Sequence, residues 1–590
     1  MIKDKNFRFP YFLVERQHYI FLFYMKKLSG FLCRGRYIIP KHYVWAVLIV
    51  LSACTSGNRN SNKNAGEDGI ALPEPGKDYF MDITQYSGVN FKHTIGDHHL
   101  SNLVESVGGG AAFIDYDQDG YLDLYVVNGA HVNGLSEESE KLDYQPINQL
   151  FRNKGNGTFE EVTKKAKVGD TGYGMGVTVG DYNNDGYPDI YVSNYGPNIL
   201  YHNNTNGTFT DVSEKVGVAG NECSVGAVWL DYDNDGYLDL YVGNYIDFNP
   251  DYNYYYAPDG FPGPMAYDGQ PDRLYHNLGN GTFEEVTEQM GVYNPEGRAM
   301  GVGSADYNND GLMDIYVAND HMVNYLYENV EGKTFREVGI ASGTAFNQVG
   351  EATISMAVDF ADYNGDGTLD LFVSDDGYCS LFANQGDGVF SEMSYHAGIA
   401  SASGQHVGWA TSFIDYDNDG DKDIFKVNGE LKHLYGQEDQ LFENKGDGTF
   451  IDVSVERSAH FQQERVSRGA CFGDYDNDGD IDVYIVNLDD EGILLRNDKG
   501  NQNSWLILHL IGNESNRDAT GTRVILTAGG KTQIAQKKGG SGYLSQNDPR
   551  IHFGLGDTQM IDKIEIYWPS GKMQVLENIE SKQILTLKEL

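Results

Sequence analysis

The chain has 590 residues, 86 of them acidic against 43 basic, for a formal net charge of −43 at pH 7. A surplus of that size excludes a surface built for phosphate backbones, and no basic stripe marks a nucleic-acid site. The length admits a large core and more than one domain. Cys33, Cys54, Cys223, Cys379 and Cys471 show no paired spacing, which predicts neither a disulfide framework nor a zinc site.

Residues 1–54 read as an export signal. Lys26, Lys27, Arg34, Arg36 and Lys41 precede the apolar run 44–50, which is too short to span a bilayer. Its end, Leu51-Ser52-Ala53-Cys54, resembles a bacterial lipobox, which implies that Cys54 is the lipidated first residue of the mature protein. Met1 and Met25 both remain as starts. Residues 55–77, rich in Asn, Gly and Ser, predict a flexible tether. The expectation is an exported bacterial lipoprotein of the outer membrane or cell surface, touching membrane only through its anchor.

From 78 to 498 one nine-residue stretch recurs, cleanest at Asp231-Tyr232-Asp233-Asn234-Asp235-Gly236-Tyr237-Leu238-Asp239. Side-chain oxygens stand at positions 1, 3, 5 and 9, and a glycine at 6 permits the sharp turn, as a hard cation such as Ca²⁺ requires. In chain order the predicted ligands are Asp115, Asp117, Asp119 and Asp123; Asp181, Asn183, Asp185 and Asp189; Asp231, Asp233, Asp235 and Asp239; Asp306, Asn308, Asp310 and Asp314; Asp362, Asn364, Asp366 and Asp370; Asp415, Asp417, Asp419 and Asp423; Asp474, Asp476, Asp478 and Asp482. A helix–loop–helix site would need Glu at position 12, where this chain has Val126, Val192, Val242, Val317, Val373, Lys426 and Ile485. Those residues lie in β-branched and aromatic runs, so each loop feeds a strand. About seven Ca²⁺ are expected.

The motif starts, 115, 181, 231, 306, 362, 415 and 474, recur at the period of a propeller blade. The second copy shows the unit: strands at 176–180, 190–192, 199–202 and 208–212, with the metal loop between the first two. The seventh copy has three strands, ending at 493–496. The missing fourth is Tyr79-Phe80-Met81-Asp82-Ile83-Thr84, which resembles Thr208-Phe209-Thr210-Asp211-Val212-Ser213. An N-terminal strand completing the last blade removes two open edges. The predicted fold is all-β: a seven-bladed calcium-binding β-propeller closed three-plus-one, followed by a small β-sandwich-like domain over 499–590.

The aromatic fourth strand and the acidic loop together resemble FG-GAP/VCBS propellers, including the integrin α-subunit type. In the last ninety residues, Asn516–Val524, Gly542–Gln546, His552–Gly556 and Trp568–Gly571 are similar to the ASPIC/UnbV domain. The combination resembles the CRTAC1-like (cartilage acidic protein-like) family. That resemblance implies extracellular calcium binding and, for most bacterial members, no established activity.

Topology places the metal loops on one face and the connections between second and third strands on the other. Insertions fall there, at 129–148, 245–272 and 428–439, and the second carries Tyr252, Tyr254, Tyr255, Tyr256, Phe261 and Tyr267. Aromatics on a polar loop suit sugar stacking or a protein contact, or else fold over one another as a lid. The expected first residues of the innermost strands are Glu105, Tyr173, Cys223, Arg298, Glu351, His406 and Arg468. They predict an anion-binding or acid–base site at the channel mouth, or a self-neutralising plug. His131 and His321 are weaker candidates on two of the long connections. The reading is a monomeric binder of glycan or protein, leaning away from catalysis. The alternatives are a polysaccharide lyase-like or cyclase-like enzyme using Arg298, Arg468, His406, Tyr173, Glu105 and Glu351, and a scaffold for a neighbouring envelope protein.

Overall fold

A computed structural model describes residues 72–137, 141–250 and 260–590. The export signal, Cys54, residues 55–71 of the tether and Tyr252, Tyr254, Tyr255 and Tyr256 lie outside the described residues.

Each acidic loop is the hinge of a hairpin. In module 2, Tyr173–Gly180 runs into the loop and returns as Asp189–Tyr195, pairing from Gly180↔Asp189 to Tyr173↔Tyr195. Ile199–Asn203 and Phe209–Asp211 complete an antiparallel four-stranded sheet. These strands run longer than the sequence expects at their inner ends and shorter at Phe209–Asp211. A turn of helix, Ser213–Val216, takes over where the fourth strand was expected to continue. Ile190, Tyr191 and Val192 are all buried, because neighbouring sheets cover both faces of the second strand. Trp229 of module 3 lies against Gly180, where a Cβ would sit 2.8 Å from the indole.

The same sheet forms seven times, with first strands Ala111–Ile114, Tyr173–Gly180, Ser224–Leu230, Ala299–Ala305, Thr353–Ala361, Gly408–Ile414 and Ser467–Gly473. Modules 4 and 5 are also joined by the pair Asp320↔Ile354. In module 7 the fourth strand is Phe80–Asp82, paired with Ile493–Asn497 from Phe80↔Asn497 to Asp82↔Leu495. Ile83 and Thr84, expected in that strand, instead lead into the helix Thr84–Ser87. Each first strand packs beside those of the modules before and after it, and Ala111–Ile114 lies beside both module 2 and module 7. This all-β arrangement is consistent with a β-propeller. The end of the expected tether is docked on module 7, where Gly76 N donates to Asp498 Oδ2 (2.6 Å) and Arg496 to Pro73 O (3.1 Å).

One asparagine per module fastens it to its neighbour. Asn153, Asn203, Asn277, Asn384, Asn444 and Asn497 end the third strands, Asn329 stands one residue before the end of its own, and all seven are buried. Their Nδ2 groups donate to the carbonyls of Tyr475, Tyr116, Tyr182, Tyr232, Tyr307, Tyr363 and Tyr416, each in the adjoining module's acidic loop, at 2.7–2.9 Å. Asn153 therefore fastens module 1 to module 7.

The C-terminal residues form two sheets around one core. Ile551–Gly556, Ser504–Ile511 and Gln583–Lys588 make the first, and Lys531–Gln536, Arg523–Ala528, Met560–Tyr567 and Met573–Glu580 the second. Leu506, Leu508 and Phe553 face Val524, Leu526, Ile564 and Ile566 in the layer between. Among the described residues no helix is long and apolar enough to cross a membrane.

Candidate metal centres and the channel

Loop 3 shows how the acidic stretch is held. Asp231 Oδ1 accepts from Asp235 N (3.0 Å) and Oδ2 from Gly236 N (3.1 Å), while Asp235 Oδ1 accepts from Tyr237 N (2.9 Å). Asn234 and Gly236 adopt φ of 55° and 89°, so the left-handed turn needs a side chain that tolerates it at position 4 and glycine at 6. Asp239 Oδ1 accepts from Asn277 N (2.8 Å), the same asparagine that fastens the module. The first-position carboxylate accepts from the fifth and sixth backbone amides in all seven loops.

Carboxylates held this close and this deep cannot all ionise unaided. Burial, reinforced by neighbouring carboxylates, pushes Asp231 up to about 8, and burial pushes Asp239 up to about 7. Asp370 rises to about 8 and Asp415 to about 7 for the same first reason. Asp123, Asp314, Asp423 and Asp482 are raised well above the carboxylate range. One oxygen each from Asp115, Asp117 and Asp123 lies within 4.8 Å of the others. The same holds for Asp231, Asp233 and Asp239, for Asp415, Asp417 and Asp423, and for Asp474, Asp476 and Asp482. Asp117 Oδ1, Asp189 Oδ2, Asp417 Oδ1, Asp423 Oδ2 and Asp476 Oδ1 are buried without a hydrogen-bond partner. An all-oxygen donor set with orphaned acceptor atoms fits a hard divalent cation. In loops 2, 4 and 5, Asn183, Asn308 and Asn364 would supply a neutral oxygen at position 3. In loop 3 itself, His276 groups with Asp233 and Asp235 and adds a nitrogen donor.

The C-terminal domain lies on this acidic face. Asn516 Nδ2 donates to Asp231 Oδ2 (3.3 Å), Arg517 N to Asn184 Oδ1 (2.8 Å), and Asp181 N to Asp518 Oδ2 (3.0 Å). Asp306 N donates to Gln536 Oε1 (2.9 Å), Arg523 to Gly367 O (3.2 Å), and Arg550 to Asn477 Oδ1 (2.7 Å) and Asp474 O (2.6 Å).

From this domain the segment Gly539–Asp548 enters the middle of the first strands. Val177 N donates to Leu544 O (3.0 Å), Gln546 N to Ala111 O (2.9 Å), Gly542 N to Val358 O (2.7 Å) and Asp548 N to Phe472 O (2.8 Å). A Cβ on Gly110 would fall 2.0 Å from Leu544 O, so that strand approach requires glycine. Tyr543, fully buried, packs edge-on against Trp409 (centroids 5.3 Å apart) and donates to Val107 O (2.7 Å). Val107 ends the buried helix Leu103–Val107, so helix and inserted segment meet among the first strands.

The expected channel-mouth residues divide accordingly. Glu105 does not begin a first strand. It sits in the helix Leu103–Val107, where its backbone N donates to Asn102 Oδ1 (3.2 Å) and its Oε2 accepts from Ser101 N (2.8 Å), a reciprocal cap. Burial pushes Glu105 up to about 8 and raises the neighbouring Tyr173. Tyr173 begins its strand as expected, and Cys223, Arg298 and His406 fall just before theirs. Arg468 is fully buried, 3.8 Å over the Trp409 ring, and donates to Ser106 O (2.6 Å), Ser467 O (3.0 Å) and Glu430 O (2.9 Å). Arg298 donates to Tyr267 O (2.8 Å), Pro264 O and Glu296 O (3.3 Å each). Both guanidiniums thus serve backbone carbonyls rather than an open anion site. Glu351 is exposed, and His406 lies 3.7 Å from Glu438. Phe261 and Tyr267 of the aromatic insertion are buried, which fits packing over their own loop. The fastening asparagines and the inserted Tyr543 were not expected; a recurring Asn shortly before each Gly-Thr-Phe-like turn was the available signal for the former.

Matches to the FG-GAP-like repeat cover residues 115–192, 182–242, 265–317, 306–373 and 362–425, and a match to ASPIC and UnbV covers 512–590. Cartilage acidic protein 1 of Mus musculus is 26% identical over 328 residues, 54% of this chain and 41% of that protein. The Homo sapiens protein gives 26% over 328 residues, 54% and 40%. The match thus spans about two fifths of the length of these curated relatives. A solved structure of an Agrocybe aegerita lectin, titled for recognition of non-reducing terminal N-acetylglucosamine, covers 65% of this chain and 86% of its own at 17% identity. The TM-score for that comparison is 0.39. By its FG-GAP repeats followed by an ASPIC/UnbV domain, the chain belongs to the cartilage acidic protein-like (CRTAC1-like) family.

Proposed function

We propose that this protein is a calcium-stabilised seven-bladed propeller, exported and anchored through Cys54, that binds a glycan or protein ligand at the cell surface. The observation that carries the reading is the asymmetry of the two faces. The acidic face is covered by the chain's own C-terminal domain, which leaves the opposite face for a partner. That face keeps Tyr144, Tyr395 and Tyr435 exposed at 54%, 58% and 67%. It also holds a cleft of about 330 Å³ where Tyr195 and Phe248 stand beside Asn221, Asp247 and Gln270. Aromatic rings beside amides and a carboxylate suit a sugar ring or a tyrosine-rich protein contact. Seven loops of the kind described supply seven calcium sites, with charge neutralisation as their contribution to folding.

Catalysis has less support, since Arg298 and Arg468 are committed to carbonyls and Tyr543 fills the channel. The scaffold reading is also weakened, because the C-terminal domain already has a partner in its own propeller. The test is a glycan array and a pull-down with the full mature chain. Tyr195→Ala with Phe248→Ala should lose the captured ligand while the chain still folds and melts in a single transition, with only a modest fall in Tm for the lost ring packing. Ligand capture that survives this pair and every aromatic change on that face, but is lost with changes in the C-terminal domain, would reverse the assignment of faces.

A further inference from the structure

The residue just before each fastening asparagine stands beside its own module's metal loop, and its chemistry varies: Arg152, His202, His276, Glu328, Ala383, Glu443 and Arg496. Glu328 pairs with Arg336 (2.7 Å), Glu443 with Arg457, and Arg496 with Asp498 (2.6 Å); Arg496 lies near Asp476 and Asp478 of loop 7, but its hydrogen bonds go to Asp498 and Pro73 O. His202 and His276 approach the ninth-position carboxylates of Asp189 (3.3 Å) and Asp239 (3.1 Å). Arg152 behaves differently. Its Nε lies 2.5 Å from Asp117 Oδ2 and its Nη2 2.7 Å from Asp119 Oδ2, so the guanidinium fork bridges the third and fifth ligand positions of loop 1.

Asp119 is thereby fully engaged, since its other oxygen accepts from Tyr121 N (3.1 Å). In loop 3 the equivalent Asp235 has no arginine, and its Oδ1 alone takes the backbone amide of Tyr237. Loop 1 still brings Asp115, Asp117 and Asp123 together, so a cation has a place to enter. To complete its shell it must take Asp119 from the fork and then sit beside a fixed positive charge. Charge-assisted, two-pronged hydrogen bonds are among the strongest a side chain makes, and guanidinium and divalent cation repel at this range.

We infer that Arg152 is a built-in counterion that makes loop 1 the weakest calcium site of the seven. The inference rests on the calcium reading above. It also means that loop 1 keeps part of its charge balance when calcium is withdrawn, whereas loops without such a residue do not.

The test is calorimetric titration of calcium-depleted full chain with CaCl₂, with bound calcium counted by equilibrium dialysis. The unaltered chain should show one equivalent that binds more weakly than the rest. Arg152→Gln should tighten that equivalent roughly tenfold, the expected order for removing one adjacent charge. Arg152→Lys, which keeps the charge and loses the fork, should leave it weak, and this variant carries the test if Arg152→Gln does not fold. Arg336→Gln, an arginine pair outside the loops, should change nothing. The inference is overturned if Arg152→Gln leaves the titration unchanged or loses an equivalent, or if Arg152→Lys tightens the weak equivalent as much as glutamine does. Failure of any form of the chain to bind calcium overturns both this inference and the calcium reading; a uniform set of tight sites overturns this inference alone.

Discussion

Replacing Asn384 by Ala removes three hydrogen bonds at once: to Tyr307 O (2.8 Å), to Leu369 O (3.1 Å) and from Gly386 N to Oδ1 (3.0 Å). Asn384 and Tyr307 are buried, so water does not replace the lost partners. Leaving a buried polar group unpaired costs about 1–3 kcal/mol, and the two carbonyls together give an expected loss of about 3 kcal/mol. With an unfolding entropy of roughly 2.1 cal/mol/K per residue over an array of about 400 residues, that is a fall in Tm of about 3–4 °C. Asn153→Ala removes the matching set, to Tyr475 O (2.8 Å), Leu122 O (2.9 Å) and from Gly155 N (2.9 Å). In a closed ring the two variants lower the same transition by the same amount, although Asn153 and Tyr475 are 322 residues apart. Scanning calorimetry at saturating calcium reads both. A full shift for Asn384→Ala with less than about 1 °C for Asn153→Ala would show that modules 1 and 7 are not joined in solution. No shift in either would refute the argument from buried carbonyls.

Deleting residues 79–84 strips module 7 of its fourth strand and of buried Phe80 and Ile83, each worth about 1.5–3 kcal/mol of burial; urea unfolding should show a large loss, and parent-like melting would exclude the strand's role. Chelation by EDTA should lower Tm steeply and Ca²⁺ should restore it. The pH response should also change sign. Without calcium, carboxyls such as Asp231 (about 8) and Asp239 (about 7) stand above their unfolded values, so their contribution is most favourable below about pH 4 and is lost as pH rises through 7–8. With calcium bound the same groups are held ionised, and stability is lost on acidification instead. Melting curves between pH 5 and 8 with and without EDTA check this, and parallel curves would contradict it.

The acidic loops and hairpins are legible because their chemistry is local: Asp at positions 1, 5 and 9 and Gly at 6 define a turn whatever lies around it. The N-terminal strand is legible as well, since Phe80 and Asp82 repeat the pattern of Phe209 and Asp211. The packing between the first strands is not, because the segment Gly539–Asp548 that enters there comes from another domain. Nothing near Arg468 announces that Tyr543 will arrive against Trp409, or that Ser106 O will accept from the guanidinium. Arg468→Ala is therefore a core change rather than the loss of a group at an open channel mouth. Glu105 is misplaced for a related reason: spacing carried upstream from Asp115 suggests a strand, while Ser101, Asn102 and Glu105 make a helix cap whose hydrogen bonds the strand pattern ignores.

The pairing of Phe80–Asp82 with Ile493–Asn497 sets a clock on biogenesis. Thr84 Oγ1 accepts from Leu494 N across 410 positions of chain, and a ribosome adding roughly 5–20 residues per second needs about 20–80 s to cover that distance. Throughout that interval the first strand is made and has no partner. When Ile493–Asn497 finally emerges, its open edge accepts Phe80–Asp82 from its own chain or from any neighbour at the same stage. Closure within one chain then competes with exchange of the first strand between copies, and any exchanged share rises with chain concentration.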